Sequence, residues 1–385
     1  MDVNYEWTFF HSPEYRRSPY FDATVRDGAQ GFDLYNHMLL PMFYSQFEYR
    51  EDYWQNVERA GLWDVSVERQ VEIAGPDAFE FVNRLVTRDL TKCAVTQCKY
   101  VILTNQDGGI LNDPILLRLA EDLFWLSISD NDLLFWVQGV AVNSGMQVQV
   151  REPDVAPMQI QGPRSKDVVH ELFGDSILDL KYYWCREVEL DGIPLVISRT
   201  GWSGEVGYEL YLRDTSRGVE LWDRVLEAGR PHELRPTGPN EIRRVEAGIF
   251  NWGSDMRLEN NPFEITGLER LVEEQEAGYI GKEALSRIRT EGVSRKLVGI
   301  EWPGPATERW VEKYWPVFRD GGEVGKVTVT YWSPRLEKQI GYAWVPIELA
   351  APGTELEIEP TGGPRIQVTV AGLPFWDPKK EIPKS

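Results

Sequence analysis

The run Ser198-Arg-Thr-Gly-Trp-Ser-Gly-Glu-Val-Gly-Tyr-Glu-Leu-Tyr211 places a carboxylate, Glu209, just beyond a turn that carries three glycines. On either side stand short apolar segments, Leu195-Val196-Ile197 and Leu210-Tyr211-Leu212, which read as two strands joined by a tight loop with exposed backbone. Side chains alternate along a strand, so Tyr208, Leu210 and Leu212 share one face and Glu209 and Tyr211 the other. A carboxylate beside an aromatic ring suits a flat ligand with N–H donors along its edge. A hairpin with a solvated glutamate answers the same pattern.

Outward from this run the chain reads as mixed structure followed by all-β structure. A polar, aromatic lead-in occupies the beginning of the first 55 or so residues. Alternation over residues 67–73 predicts a strand, and Gly75-Pro76 opens a helix over residues 76–85. Residues 100–104 and 115–119 read as strands closed by Asn105-Gln-Asp-Gly-Gly109, residues 123–128 as a further strand, and 130–139 as a helix. Met158-Gln-Ile-Gln-Gly-Pro163 repeats the Gly-Pro helix start, which suggests two mixed α+β units of similar build. Short β runs at 297–301, 323–331, 341–345, 355–359 and 366–370 predict a small antiparallel barrel or sandwich at the end.

Composition narrows the functional classes. The 385 residues, 42% of them apolar, are enough for two or three domains with packed cores. The net charge of −20 repels phosphate backbones and anionic lipid, so neither nucleic acid nor membrane is expected as a partner. No apolar run has the length of a membrane span, and no basic segment followed by an apolar one marks a leader. Cys93, Cys98 and Cys185 fit neither a redox pair nor a zinc site and read as buried free thiols of a cytoplasmic protein. His11, His37, His170 and His232 are scattered, so no protein-built metal centre is expected.

Two further segments stand out. Gly108-Gly-Ile-Leu-Asn-Asp-Pro114 ends on a proline that cannot donate to a ladder, which puts Asp113 at the start or edge of a strand. Ile242-Arg-Arg-Val-Glu-Ala-Gly248 reads as helical, where Arg243 and Arg244 diverge by about a hundred degrees and only one can face a ligand. Either arginine can instead pair with Glu241 or Glu246.

Arg199 to Leu210 resembles the R-T-G-Y-T-G-E-D-G-F-E-I motif of the glycine-cleavage T-protein family of folate-dependent methyl and aminomethyl transferases, with Trp202 in place of the usual Tyr. The segments at 108–114 and 242–248 are similar to that family's G-G-I-x-D-D and L-R-L-E-A-G. Trp252-Gly-Ser-Asp-Met256 and Tyr279-Ile-Gly-Lys-Glu-Ala-Leu285 resemble its later signatures. The resemblance covers nearly the whole chain and implies a three-domain clover-leaf around a central folate site. It divides the chain into residues 1–60 with 145–250, residues 61–144 with 251–290, and a barrel over 291–385.

The same resemblance implies tetrahydrofolate as methyl acceptor, no metal, and a small-molecule donor; a homodimer stays open. Glu209 takes the position that holds the pterin edge, since an ionised carboxylate accepts two adjacent N–H groups as a charge-assisted pair. Asp113 takes the catalytic-carboxylate position, Tyr100 a pterin-contacting one, and Arg244 the motif arginine, while Trp202 stands among the folate contacts.

Within the family, Tyr35-Asn-His-Met-Leu-Leu40, Glu68-Arg-Gln-Val-Glu-Ile, Leu111-Asn-Asp-Pro114, Glu152-Pro-Asp-Val155 and Glu259-Asn-Asn-Pro-Phe-Glu264 resemble its dimethylsulfoniopropionate demethylase branch. That branch implies a sulfonium donor walled by aromatic faces, for which Tyr35, Trp184, Trp202 and Trp252 are the candidates. Core packing is the alternative role for any of the 15 tryptophans. Demethylation of a betaine or an aryl methyl ether, and aminomethyl transfer, are the competing activities. An iron–sulfur assembly factor of the same fold carries a cysteine where Gly278 stands here.

Overall fold

The computed structural model describes residues 12–44, 49–306 and 311–385; most of the polar lead-in, with His11, lies outside them. Two mixed units and a barrel are present, as the clover-leaf reading expects.

The first unit is built on a six-stranded sheet in the order Cys185–Leu190, Ile193–Ser198, Gly207–Leu212, Ala156–Gln161, Gly61–Asp64, Arg235–Pro236. All its neighbours are antiparallel except the last pair. Helices Ser165–Phe173 and Gly218–Gly229 cover one face, where Val168, Val169, Trp222 and Val225 pack on Ile160, Leu195, Tyr208, Leu210 and Leu212. The alternation predicted for 208–212 is therefore real: the apolar members face the helices and Glu209 and Tyr211 the opposite side.

The second unit carries a five-stranded sheet in the order Gln149–Arg151, Gln70–Ala74, Leu123–Ser127, Ile115–Ala120, Cys98–Tyr100, with helices Ala78–Leu85 and Leu133–Val142 against it. The sheets meet through Cys98, Leu117, Trp125, Cys185, Val196 and Tyr211, all buried. Gly75 and Gly162 hold matching left-handed turns at φ 136° and 129° before Pro76 and Pro163, the echo seen in the sequence. In each case the helix begins two residues beyond the proline, at Ala78 and Ser165.

Six strands close into the C-terminal barrel, in the order Arg295–Trp302, Lys338–Pro346, Gly322–Ser333, Trp315–Arg319, Glu355–Ile358, Ile366–Ala371, the last pairing back onto the first. Leu297, Tyr342 and Trp344 reach outward to Val245, Phe250, Ile102 and Ile110, so the barrel shares an apolar seam with both other parts of the chain.

Several expectations shift. Gly61–Asp64 joins the first sheet and Gln149–Arg151 the second, so the sheets do not divide at residues 61 and 145. The strand expected at 67–73 runs Gln70–Ala74, and the helix expected at 130–139 runs Leu133–Val142. Gly61–Asp64 and Trp315–Arg319 had no counterpart in the sequence reading; the first is four residues long and the second holds Pro316, so neither carries a periodic signal.

Candidate functional site

The glycines of the 198–211 run are fixed by close approach. A Cβ on Gly201 or on Gly207 would lie 2.2 and 2.3 Å from the Gln161 amide. Gly204, at φ 72°, would place one 2.5 Å from the Ala247 Cβ. The turn therefore clamps Gln161 on one side and lies against the Arg243–Ala247 helical end on the other, which sets where the next strand presents Glu209. That side chain is 2% exposed, which excludes the solvated hairpin.

Glu209 is held by neighbours from three directions. Tyr211 Oη donates to its Oε2 at 2.9 Å and Ser198 Oγ at 3.3 Å, with Thr200 Oγ1 on the same oxygen. Gln159 faces Glu209 in register across the sheet and donates its amide to Oε1 at 2.5 Å. With Oε2 filled, the acceptors left for a ligand are Glu209 Oε1 and Gln159 Oε1, and the latter is buried without a partner. An unpaired buried acceptor is costly to keep and implies a donor that arrives with the ligand.

The hairpin at Asn105–Gly109 is present, but its ladder breaks at the proline. Leu103–Thr104 pairs with Ile110–Asn112, Cys98–Tyr100 with Ile115–Ala120, and Asp113-Pro114 sits between. Freed from the ladder, the Asp113 carboxylate accepts from Tyr100 Oη at 2.8 Å and Ser129 Oγ at 2.5 Å. Burial pushes its pKa up to about 6, against the pull of those two hydroxyls. The preceding Asn112 is fully buried and ties down the loop that bears Ser129: it donates to the Ser129 carbonyl at 3.1 Å and to Asn131 Oδ1 at 3.0 Å, and accepts from the Ser129 N–H at 3.0 Å.

These groups line one cavity of about 440 Å³ between the two sheets, the 243–251 segment and the last residues of the chain, a size suited to a cofactor with a small partner. Of the residues expected at a site, Tyr35, Tyr100, Asp113, Trp202 and Glu209 line it.

Three do not. Arg244 turns into the protein, where its Nε pairs with Glu241 at 2.6 Å, its Nη1 with Asp255 at 2.7 Å, and its guanidinium lies 5.5 Å over one face of Trp202. Arg243 lines the cavity instead, paired with Glu246 and, at 2.8 Å, with Glu205, its Nε without a hydrogen-bond partner. Trp252 spends its N–H on the Ile110 carbonyl within an apolar cluster, and Trp184 packs on the first core with Lys181 over its ring. Both tryptophans act in packing.

The cavity also holds residues to which the sequence assigned no role: Glu68, Gln159, Tyr182, Tyr183, Arg270, Trp376 and the lysines after it. Two glutamines, Gln159 and Gln161, in the otherwise apolar strand 156–161 were the available signal for Gln159. Burial, then the charges of Glu209 and Asp113, push the Glu68 carboxyl well above the usual range. Among the described residues no group of His, Cys, Asp and Glu could hold a metal ion, and no helix is long and apolar enough to cross a membrane.

Residues 20–276 match the GCVT N-terminal domain and residues 295–377 the glycine cleavage T-protein C-terminal barrel domain. The chain belongs to the glycine-cleavage T-protein family, and with it is a tetrahydrofolate-dependent transferase. It is 36% identical to the dimethylsulfoniopropionate demethylase DmdA of Ruegeria pomeroyi, over 96% of this chain and 99% of that one. It is 31% identical to an aminomethyltransferase of Bacillus mycoides, over 95% and 99% of the two chains. The crystal structure of aminomethyltransferase T from Bartonella henselae shares its fold at a TM-score of 0.84, with 24% identity over 94% of this chain and 99% of that one.

Proposed function

We propose that the chain moves a methyl group from a small sulfonium zwitterion, dimethylsulfoniopropionate in the first place, to N5 of tetrahydrofolate. The observation that carries this reading is one cavity lined by paired acceptors, Glu209 and Gln159, by a buried carboxylate, Asp113, and by the aromatic rings of Tyr35 and Trp202. The 36% identity with a demethylase of that substrate supports the donor.

Tetrahydrofolate supplies a neutral amine that takes a methyl group without a general base. Glu209 Oε1 and Gln159 Oε1 accept the N–H edge of the pterin and fix its orientation. Asp113, screened from water, answers positive charge that passes inward from the sulfonium, and with a pKa of about 6 it exchanges a proton near neutral pH. Tyr35 and the face of Trp202 opposite Arg244 offer cation–π contact to the donor.

The Glu68 carboxyl, which lines the cavity and is pushed up by burial, favours a second reading, an aryl methyl ether, whose phenolate leaving group needs an acid that sulfonium chemistry does not. Incubation with tetrahydrofolate and a panel of sulfonium, betaine, aryl ether and aminomethyl donors, with detection of 5-methyl-tetrahydrofolate, separates them. The expected product comes from the sulfonium; product from the aryl ether alone overturns the donor assignment.

A further inference from the structure

Glu68 lines the cavity with Asp113 and Glu209, and of these carboxylates it has the least support. Tyr100 and Ser129 donate to Asp113, and Tyr211, Ser198, Thr200 and Gln159 to Glu209. Among the described residues the Glu68 carboxylate has one hydrogen bond, from Ser127 Oγ at a long 3.4 Å, and no ion pair. Burial, then the charges of Glu209 and Asp113, raise its pKa, as expected of a carboxylate with like charges nearby and no opposite one.

The surroundings of Glu68 are firmly built. Its N–H closes a turn on the Val65 carbonyl at 2.9 Å, and its own carbonyl accepts from Gln70 Nε2 at 2.6 Å. Asn36, buried, donates to the Val67 carbonyl at 2.9 Å and to the Ser129 carbonyl at 3.2 Å. One side chain thus ties together the hairpin tip that carries Tyr35, the turn that carries Glu68 and the loop that carries Ser129. Tyr35 packs beside Val67, and burial, then the charges of Glu68, Asp113 and Asp130, raise the pKa of its phenol. An aromatic ring beside unbalanced negative charge favours a cation. Among the described residues no group of acidic side chains is arranged to hold a metal ion, which leaves an organic cation, broad and weakly hydrated.

We infer that Glu68 is the counter-ion of the methyl donor's cationic centre, held between this carboxylate and the ring of Tyr35, and that it selects an onium donor over an uncharged molecule of the same shape. The inference rests on the methyl-transfer reading above and adds the group that recognises the charge. A cation about 4 Å from a carboxylate screened from water is held more strongly than in bulk solvent, because the lower effective dielectric magnifies the attraction. The bound charge in turn favours the ionised carboxylate. A counter-ion acts on donor binding, whereas the acid that an aryl ether requires acts on the bond-breaking step.

Turnover of the full chain with tetrahydrofolate tests it, with dimethylsulfoniopropionate as donor and 4-methylpentanoate, which carries CH in place of the sulfonium, as competitor. In the unaltered protein the donor's KM is expected to lie about tenfold or more below the competitor's inhibition constant. Glu68→Gln keeps the shape without the charge. It is expected to raise the donor's KM about tenfold or more, with kcat within about threefold and the inhibition constant of 4-methylpentanoate unchanged or lower. Glu68→Asp, which keeps the charge, is expected to stay nearer the unaltered protein than Glu68→Gln, and the reverse order overturns the inference. Equal constants in the unaltered protein, or a ratio that survives Glu68→Gln, overturn the counter-ion and leave the methyl-transfer reading standing, as does a fall in kcat with the donor's KM unmoved. Failure to form 5-methyl-tetrahydrofolate from any sulfonium overturns that reading and the inference with it.

Discussion

Asp113 illustrates how one side chain carries both an energetic burden and a role. Its pKa rises from 3.8 to about 6 because burial disfavours the charge more than Tyr100 and Ser129 favour it. A native pKa above the unfolded one means that the folded state holds the proton more tightly. The stability this lends is complete below about pH 4 and is lost as pH climbs through about 6. Asp113→Asn should flatten that slope in denaturant titrations run across the same range. It should also lower the single-turnover rate by roughly 10²-fold at neutral pH, and remove a rise in rate with pH centred near 6. A variant that keeps the unaltered pH profile would show that the carboxylate does not answer the transferred charge. Glu209 differs in that its bonds orient rather than respond. Glu209→Gln keeps the shape but puts an amide where an acceptor stood, which should weaken tetrahydrofolate by about 1 to 3 kcal/mol. An unchanged calorimetric affinity would take Glu209 out of the site.

At the scale of elements, the site depends on irregular pieces held by regular ones. The turn between Ile193–Ser198 and Gly207–Leu212 is shaped by contacts that no larger residue allows, and Gly204 combines a φ of 72° with an approach of 2.5 Å to Ala247. Gly204→Ala should destabilise the protein by about 1 to 3 kcal/mol, read as a lowered midpoint in urea with an unchanged slope. An unshifted midpoint would mean that the turn yields at no cost. Opposite this turn, Asn112 binds the loop after Leu123–Ser127 through three hydrogen bonds, and that loop delivers Ser129 to Asp113. The Asn-Asp-Pro segment therefore works as a unit: Asn112 positions, Pro114 breaks the ladder, and Asp113 is released into the cavity.

Across the whole molecule, the cavity exists only where the two sheets, the 243–251 segment and the last residues come together. A ligand there stabilises all of these at once. At about a hundredfold excess over its Kd, tetrahydrofolate should add about 2.7 kcal/mol to the folded state. Hydrogen exchange should slow together in Gly207–Leu212, in the 129–131 loop and in the 376–385 segment. Protection confined to one sheet would mean that the ligand occupies a smaller site than the cavity described.

The alternation of 208–212 was legible in the sequence because a strand with one covered face must repeat every two residues, and the Gly-Pro echo because a left-handed turn before a helix tolerates little else. Glu209 and Asp113 stood out by local pattern, whereas Tyr100, Tyr35 and Trp202 were singled out by the family resemblance; all five line the cavity. Which arginine faces the cavity was not legible. Arg243 and Arg244 are chemically alike and each has a glutamate one helical turn away, Glu246 and Glu241, so the choice was made by Glu205 and Asp255, more distant in sequence, through where their carboxylates lie in space. Trp184 and Trp252 were likewise indistinguishable from ligand-facing rings until packing set them, partly buried, against apolar clusters outside the cavity lining. Short-range pattern fixes how a residue meets its own element. Only the docking of one element on another fixes what its side chain meets, and so Glu68 and the lysines of the last segment emerged from the tertiary structure alone.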